Sequence, residues 1–152
     1  KEAVETIESD VSAVAGGDVT VVLWSSSDLA ENTFIPDALP PPGASLPTRR
    51  CVARGFRSLC PVTAQPDWAT VVVDTDASAF DGETIGAAVE TLRNHQGFHE
   101  QCIEDLFSRI EGDLKPEYLE ITGYFQRRGG IDITPRRSSA VTEPAVERLY
   151  EQ

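Results

Sequence analysis

Positive charge and long apolar runs are both scarce in this sequence. Its 152 residues include 13 lysines and arginines against 25 aspartates and glutamates, for a net charge of -12. An acidic surface repels phosphate backbones, so direct binding of nucleic acid is disfavoured. No apolar run approaches the length that spans a bilayer, and the first residues lack the pattern of a signal peptide. We therefore expect neither a nucleic-acid nor a membrane partner.

Cysteine is sparse as well. The three cysteines, Cys51, Cys60 and Cys102, are odd in number and have no tight spacing. This pattern excludes a disulfide framework of the kind that holds small secreted domains together. A reducing, cytoplasmic compartment is therefore expected.

The apolar pattern predicts an α+β fold. Helical spacing of apolar residues predicts helices over residues 1–14, 82–92 and 98–110. Runs rich in β-branched and aromatic residues predict strands over residues 18–24, 50–56, 68–75, 118–126 and 130–134. From residue 49 onward the order is strand, strand, helix, helix, strand, strand. This order favours an antiparallel four-stranded sheet with two helices on one face.

Proline divides the chain into parts. Residues 25–48 are polar and rich in proline, which is typical of a connector. Residues 49–152 then form the main predicted module. The helix and strand predicted within residues 1–24 resemble the end of another such unit.

The segment FRSLCPVTAQPDW, residues 56–68, contains the first candidate site. Cys60 precedes Pro61 and lies outside any clear helix or strand periodicity. A nucleophilic thiol must be deprotonated and reachable, so it belongs on a loop near a proton acceptor or a positive charge. Asp67 is seven residues further on and can face back across a turn. The alternative is that Cys60 is a small buried hydrophobe and Asp67 only forms the turn.

A second cluster, RNHQGFHEQC, covers residues 93–102. His99 and Glu100 stand together at a predicted helix start. A histidine exchanges protons near neutral pH, and a buried carboxylate suits the paired N–H donors of a guanine-type base. The alternative is a helix start at which Glu100 complements the dipole and His99 is solvated. A zinc site of Cys60, His99 and Cys102 is a further alternative, but Cys102 fits the apolar helix face and we expect no metal.

A third cluster, RRGGIDITPRR, covers residues 127–137. Glycines let a backbone approach a ligand closely, and arginines favour phosphate. Arg127, Arg128 and Gly129 are therefore candidates for binding a phosphate. The alternative is a hairpin turn with solvated arginines.

Together and in this order, the three clusters resemble QueF, the NADPH-dependent 7-cyano-7-deazaguanine reductases. The likeness runs from about residue 54 to 149 and is greatest to the C-terminal half of the two-module form. It implies the T-fold, an antiparallel sheet with two helices. It also implies reduction of the nitrile to 7-aminomethyl-7-deazaguanine, with NADPH as cofactor, in queuosine (tRNA modification) biosynthesis.

The resemblance also assigns roles to residues. Cys60 matches the thiolate that attacks the nitrile carbon to form a thioimide, and Asp67 matches the acid that protonates its nitrogen. His99 matches a residue that orients or protonates this intermediate. Glu100 matches the carboxylate that binds the deazaguanine ring, with Phe98 as a packing neighbour.

One family motif, similar to ESKSLK, has no counterpart here, because the stretch at residues 81–86 is DGETIG and contains no lysine. In two-module reductases that motif lies in the N-terminal half. We therefore expect residues 1–24 to be the remnant of a preceding T-fold module and residues 49–152 to be the catalytic one. T-fold units associate into barrels, so we expect a homo-oligomer, a dimer or larger, or pairing with a preceding module.

Two other functions are open at this stage. QueF-like amidinotransferases use the same cysteine capture on a nitrile-bearing tRNA. A non-catalytic T-fold subunit would only bind the base. The acidic charge argues against the first, and the joint presence of Cys60, Asp67, His99 and Glu100 argues against the second.

Overall fold

The computed structural model describes residues 2–21, 48–141, 149 and 152. The chain divides into two compact units, Lys1–Ala30 and Glu31–Gln152. The predicted boundaries at residues 24 and 48 enclose mostly residues outside the described part, so the division into remnant, linker and module stays a prediction. None of the helices described is long and apolar enough to cross a membrane.

In the first unit, helix α1 spans Glu2–Ala15, which confirms the predicted helix. Residues 18–21 follow it but belong to no strand. The reason is local, because the N–H groups of Val19 and Val21 donate to helix side chains, Ser12 Oγ at 2.9 Å and Glu8 Oε1 at 2.8 Å. The predicted strand over 18–24 is wrong for these four residues, and the rest of it lies outside the described residues.

The second unit is built on an antiparallel sheet. Its elements are β1 (Arg49–Leu59), β2 (Pro66–Thr75), α2 (Gly82–Glu90), α3 (His99–Leu114), β3 (Leu119–Arg128), β4 (Ile131–Ile133) and β5 (Arg136–Ser138). The strands lie in the order β1-β2-β3-β4, and β5 also pairs with β3. The predicted α+β order is confirmed.

The predicted strand over 130–134 is present as β4, and it is followed by a short strand that was not predicted, β5. Both pair with β3, at Phe125 and Arg128 for β4 and at residues 120–122 for β5. Pro135 lies between them and has no N–H to donate, although its carbonyl still accepts from Gly123 N at 2.9 Å. The fourth position of the sheet is therefore occupied by two short strands.

Helices α2 and α3 cover one face of the sheet. Side chains of successive strand residues point to opposite faces, so Val71 and Val73 of β2 face the helices and Val72 faces away. The core on the helix side contains Phe56, Val71, Val73, Phe80, Ile85, Cys102, Ile103, Leu106, Phe107, Ile110, Leu119, Ile121 and Phe125. On the opposite face, Asp74 is buried and binds Arg50 through two hydrogen bonds of 2.7 and 2.9 Å.

Phe125 links this core to the first residue of α3. It is fully buried, meets Phe56 edge-on at 5.7 Å between ring centroids, and lies 4.3 Å from the His99 ring centroid. We expect Phe125→Ala to lower the free energy of unfolding by about 3–5 kcal/mol, since it removes a buried aromatic ring and leaves a cavity. Urea denaturation measures this. Ile131→Ala, at a side chain that is 68% exposed, is the control and should change stability by about 0.5 kcal/mol or less. A loss from Phe125→Ala no larger than the control's would contradict this packing.

Candidate active site

Cys60 lies in the turn that joins β1 to β2, as predicted. Its N–H donates to Gln65 O at 2.8 Å, and its carbonyl accepts from Ala64 N at 2.9 Å. Ala64 adopts a positive φ of 55° that closes the turn. The turn thus fixes the backbone of Cys60 on a loop, where a nucleophile can be reached.

A short segment before α3 joins this turn. Leu59 N donates to His95 O at 2.8 Å, and Gly97 N donates to Leu59 O at 3.1 Å, so the end of β1 pairs with residues 95–97. A Cβ at Gly97 would come within 2.6 Å of His95 Nε2, so the close approach requires glycine. This pairing holds the start of α3 beside Cys60.

Asp67, His99 and Arg128 meet next to that turn. Asp67 is 1% exposed and lies on β2, on the face covered by the helices. His99 Nε2 is 3.3 Å from Asp67 Oδ2, and Arg128 Nη2 contacts the other oxygen, Oδ1. The aromatic contact with Phe125 fixes the His99 ring from the side. The structure therefore brings together residues that are up to 61 positions apart in the sequence.

The surroundings of Cys60 favour its thiolate. The pKa of Cys60 is lowered, first by a hydrogen bond from the Thr63 hydroxyl, then by the backbone N–H groups of Thr63 and Val62, and also by the charge of Arg128. Burial opposes these effects but is outweighed. Cys102 differs, because burial raises the pKa of its thiol and nearby carboxylates add to the increase. Cys60 is thus the reactive thiol of the two and Cys102 the inert one.

This contrast predicts selective alkylation. At pH 7, iodoacetamide should modify Cys60 about tenfold faster than Cys102, because the reactive species is the thiolate. Peptide mapping by mass spectrometry after timed quenching measures both rates, and the denatured protein is the control in which the difference disappears. Equal rates in the folded protein would contradict the assignment.

Two buried nitrogens at this site make no hydrogen bond of good geometry within the described part of the chain: His99 Nε2, which has the 3.3 Å contact with Asp67 Oδ2, and Arg128 Nε. Buried polar atoms are nearly always satisfied, so such atoms indicate where a ligand's acceptor binds. Their position beside Cys60 and Asp67 makes this cluster the candidate active site.

The other predicted residues lie around the cluster. Glu100 is in the first turn of α3 and is exposed, so the burial assumed for its carboxylate is wrong for this structure. Phe98 precedes the helix and is 63% exposed. Arg127 pairs with Asp132, and Gly129 has a φ of 58° in the turn between β3 and β4. A Cβ at Gly129 would contact nothing within 4 Å, which leaves the turn open to a ligand.

The sequence patterns did not indicate that the Thr63 hydroxyl binds Cys60 or that the Arg128 side chain contacts Asp67. Thr63 is the third residue after Cys60, a spacing at which a hydroxyl can reach back across a turn, and that spacing could have indicated it. Among the residues that the structure describes, no group of three or more His, Cys, Asp or Glu side chains could hold a metal ion.

The family is decided by comparison with known proteins. The model of the family described as QueF-like protein matches residues 66–144. This chain belongs to that family. The matched range contains Asp67, His99, Glu100 and the hairpin of β3 and β4, which are most of the candidate site.

The relatives and a solved structure agree with this family. Proteins from three strains of Acinetobacter baumannii, each named NADPH-dependent 7-cyano-7-deazaguanine reductase, are 36% identical over 157 residues. The match covers 91% of this chain, but the chain spans only 58% of the length of these relatives. The crystal structure of the archaeosine synthase QueF-Like in the apo form aligns with a TM-score of 0.58 at 22% identity, over 66% of this chain and 100% of that one. This likeness confirms the predicted T-fold.

Proposed function

We propose that the protein reduces the nitrile of 7-cyano-7-deazaguanine to 7-aminomethyl-7-deazaguanine, with NADPH, through a thioimide on Cys60. The observation that carries the proposal is the thiol of lowered pKa beside the Asp67, His99 and Arg128 cluster. The A. baumannii relatives are named for reduction of 7-cyano-7-deazaguanine with NADPH, which supports this substrate and this cofactor.

The first step is addition. The Cys60 thiolate attacks the nitrile carbon, a C–S bond forms, and one π bond of the C≡N group gives its electron pair to nitrogen. The Asp67–His99 pair, whose Oδ2 and Nε2 atoms are 3.3 Å apart, delivers a proton to that nitrogen. The product is a neutral thioimide. In a later step the C–S bond breaks, and the electron pair returns to the Cys60 sulfur as thiolate.

The cofactor supplies the electrons. When bound, each NADPH would provide one hydride, so two molecules in turn convert the nitrile carbon to a methylene group, and a second proton on nitrogen completes the amine. Arg127, Arg128 and Gly129 would hold its phosphates. An unpartnered Arg128 Nε and an open turn at Gly129 fit a phosphate-bearing group.

Glu100 and Phe98 would bind the base. A carboxylate can accept two parallel N–H donors, which is the pattern on the amidine edge of a deazaguanine. Glu100 is accessible for this because it is exposed. Phe98, 63% exposed, offers a flat apolar surface to the ring.

The proposal extends to compartment and assembly. Cys51, Cys60 and Cys102 form no disulfide with one another, which suits the reducing cytoplasm. In the described part, β1 lies at one end of the strand order, next to β2, and its last residue Leu59 also pairs with residues 95–97. An edge strand of 11 residues favours a homo-oligomer or pairing with another T-fold module.

Kinetics with the full-length protein test the function. NADPH oxidation should require 7-cyano-7-deazaguanine and should consume two NADPH for each amine formed. Two other outcomes would overturn the proposal. Ammonia addition to a nitrile-bearing tRNA without NADPH oxidation would indicate an amidinotransferase, and binding of the base without turnover would indicate a binding subunit.

A further inference from the structure

Arg128 reaches the site because of an irregularity in its strand. Against β4, Phe125 pairs with Ile133 and Arg128 with Ile131, so β3 contains one extra residue between these pairs. In a regular strand, Arg127 would share the face of Phe125 and Arg128 would point the other way. The bulge reverses this alternation. Arg128 therefore contacts Asp67, while Arg127 pairs with Asp132 on the hairpin.

If Asp67 and Cys60 are both to carry negative charge, a cation must lie near them. Asp67 is 1% exposed and Cys60 is 8% exposed, and both interact with Arg128, so two groups that can be anionic share one cation in a site with little access to water. Two buried anions repel each other, and one of them takes up a proton unless a positive charge compensates. Arg128 is the guanidinium that interacts with both groups.

We infer that Arg128 is a positioning residue of this site, which holds the Asp67 carboxylate toward His99 and keeps the Cys60 sulfur in its anionic form. The inference rests on the proposed function for the reaction that this thiolate performs. It goes beyond a role for Arg128 in holding cofactor phosphates, because it assigns an effect on Cys60 before any cofactor binds. The lowered pKa of Cys60, to which the charge of Arg128 contributes, agrees with it.

The pH dependence of Cys60 alkylation tests this inference without substrate or cofactor. Thr63 and the loop N–H groups are the larger causes of the lowered Cys60 pKa, so in Arg128→Gln we expect the midpoint of the alkylation profile to rise by only about half a pH unit, which slows Cys60 alkylation near neutral pH by about threefold. The control is Arg137→Gln, which removes the same charge from a surface pair with Glu104 and should keep the parent profile. Circular dichroism confirms that each variant is folded. A profile of Arg128→Gln that superimposes on the control's overturns the inference.

Arg128→Lys gives a second test that does not depend on the folding of Arg128→Gln. Lysine keeps the charge but cannot reach Asp67 and Cys60 with one planar group, so we expect a smaller rise than the one expected for Arg128→Gln. A rise as large as the one expected for Arg128→Gln would show that the charge does not act on Cys60 and would overturn the inference. If Arg128→Gln keeps the parent midpoint of Cys60 alkylation and still captures the nitrile, this inference alone is wrong. If the parent protein captures no nitrile, the proposed function is wrong.

Discussion

Replacing Cys60 by alanine is expected to lower the rate of nitrile reduction by about 10³-fold or more, because no other group can form the thioimide. The substitution removes one sulfur atom from a turn that backbone hydrogen bonds close, so the fold should persist. Steady-state NADPH oxidation with saturating nitrile measures the effect.

The matched control is Cys102→Ala, at a fully buried cysteine of the helix-side core. It should lower the Tm while the rate per folded molecule stays close to that of the parent. A Cys60→Ala protein that keeps a tenth of the parent rate would rule out the covalent mechanism.

The second large effect is expected at Asp67. Asp67→Asn keeps the shape of the side chain but removes its proton, so kcat should fall by about 10²–10⁴-fold. Loss of the carboxylate also leaves Arg128 without its partner, so some loss of stability accompanies the loss of rate.

Asp74→Asn separates these two effects. Asp74 is also buried on β2 and paired with an arginine, Arg50, but it lies on the opposite face of the sheet. Both variants should have a lower Tm, whereas only Asp67→Asn should lose kcat per folded molecule. Equal losses of kcat would mean that Asp67 acts only through stability.

The fold could be predicted because its signals are local. Apolar β-branched residues over Val71–Val73 and helical spacing in α3 each indicate one element, and Lys115 with Pro116 ends that helix where the pattern ends. Strand β5 was missed because its three residues, Arg136–Ser138, are polar and have no β-branched or aromatic pattern. The predicted strand at residues 18–21 failed because side chains of α1 bind its N–H groups instead.

The candidate site could be predicted in membership but not in geometry. The clusters single out Cys60, Asp67 and His99, and their catalytic roles stay a prediction. In the structure, His99 contacts Asp67, and Arg128 interacts with both Asp67 and Cys60. The role of Arg128 beside them depends on one extra residue in β3, which no local pattern reveals. The exposure of Glu100 is likewise a property of how α3 lies on the sheet.

The central claim is that Cys60 captures a nitrile, and intact-mass spectrometry tests it most directly. The protein is incubated with 7-cyano-7-deazaguanine without NADPH and then mapped by peptides. We expect an adduct on the Cys60 peptide alone. Its mass should equal the full mass of the base, because addition to a nitrile loses no atoms. The adduct should disappear when NADPH is added. An unmodified Cys60, or an adduct on Cys51 or Cys102 instead, would contradict it.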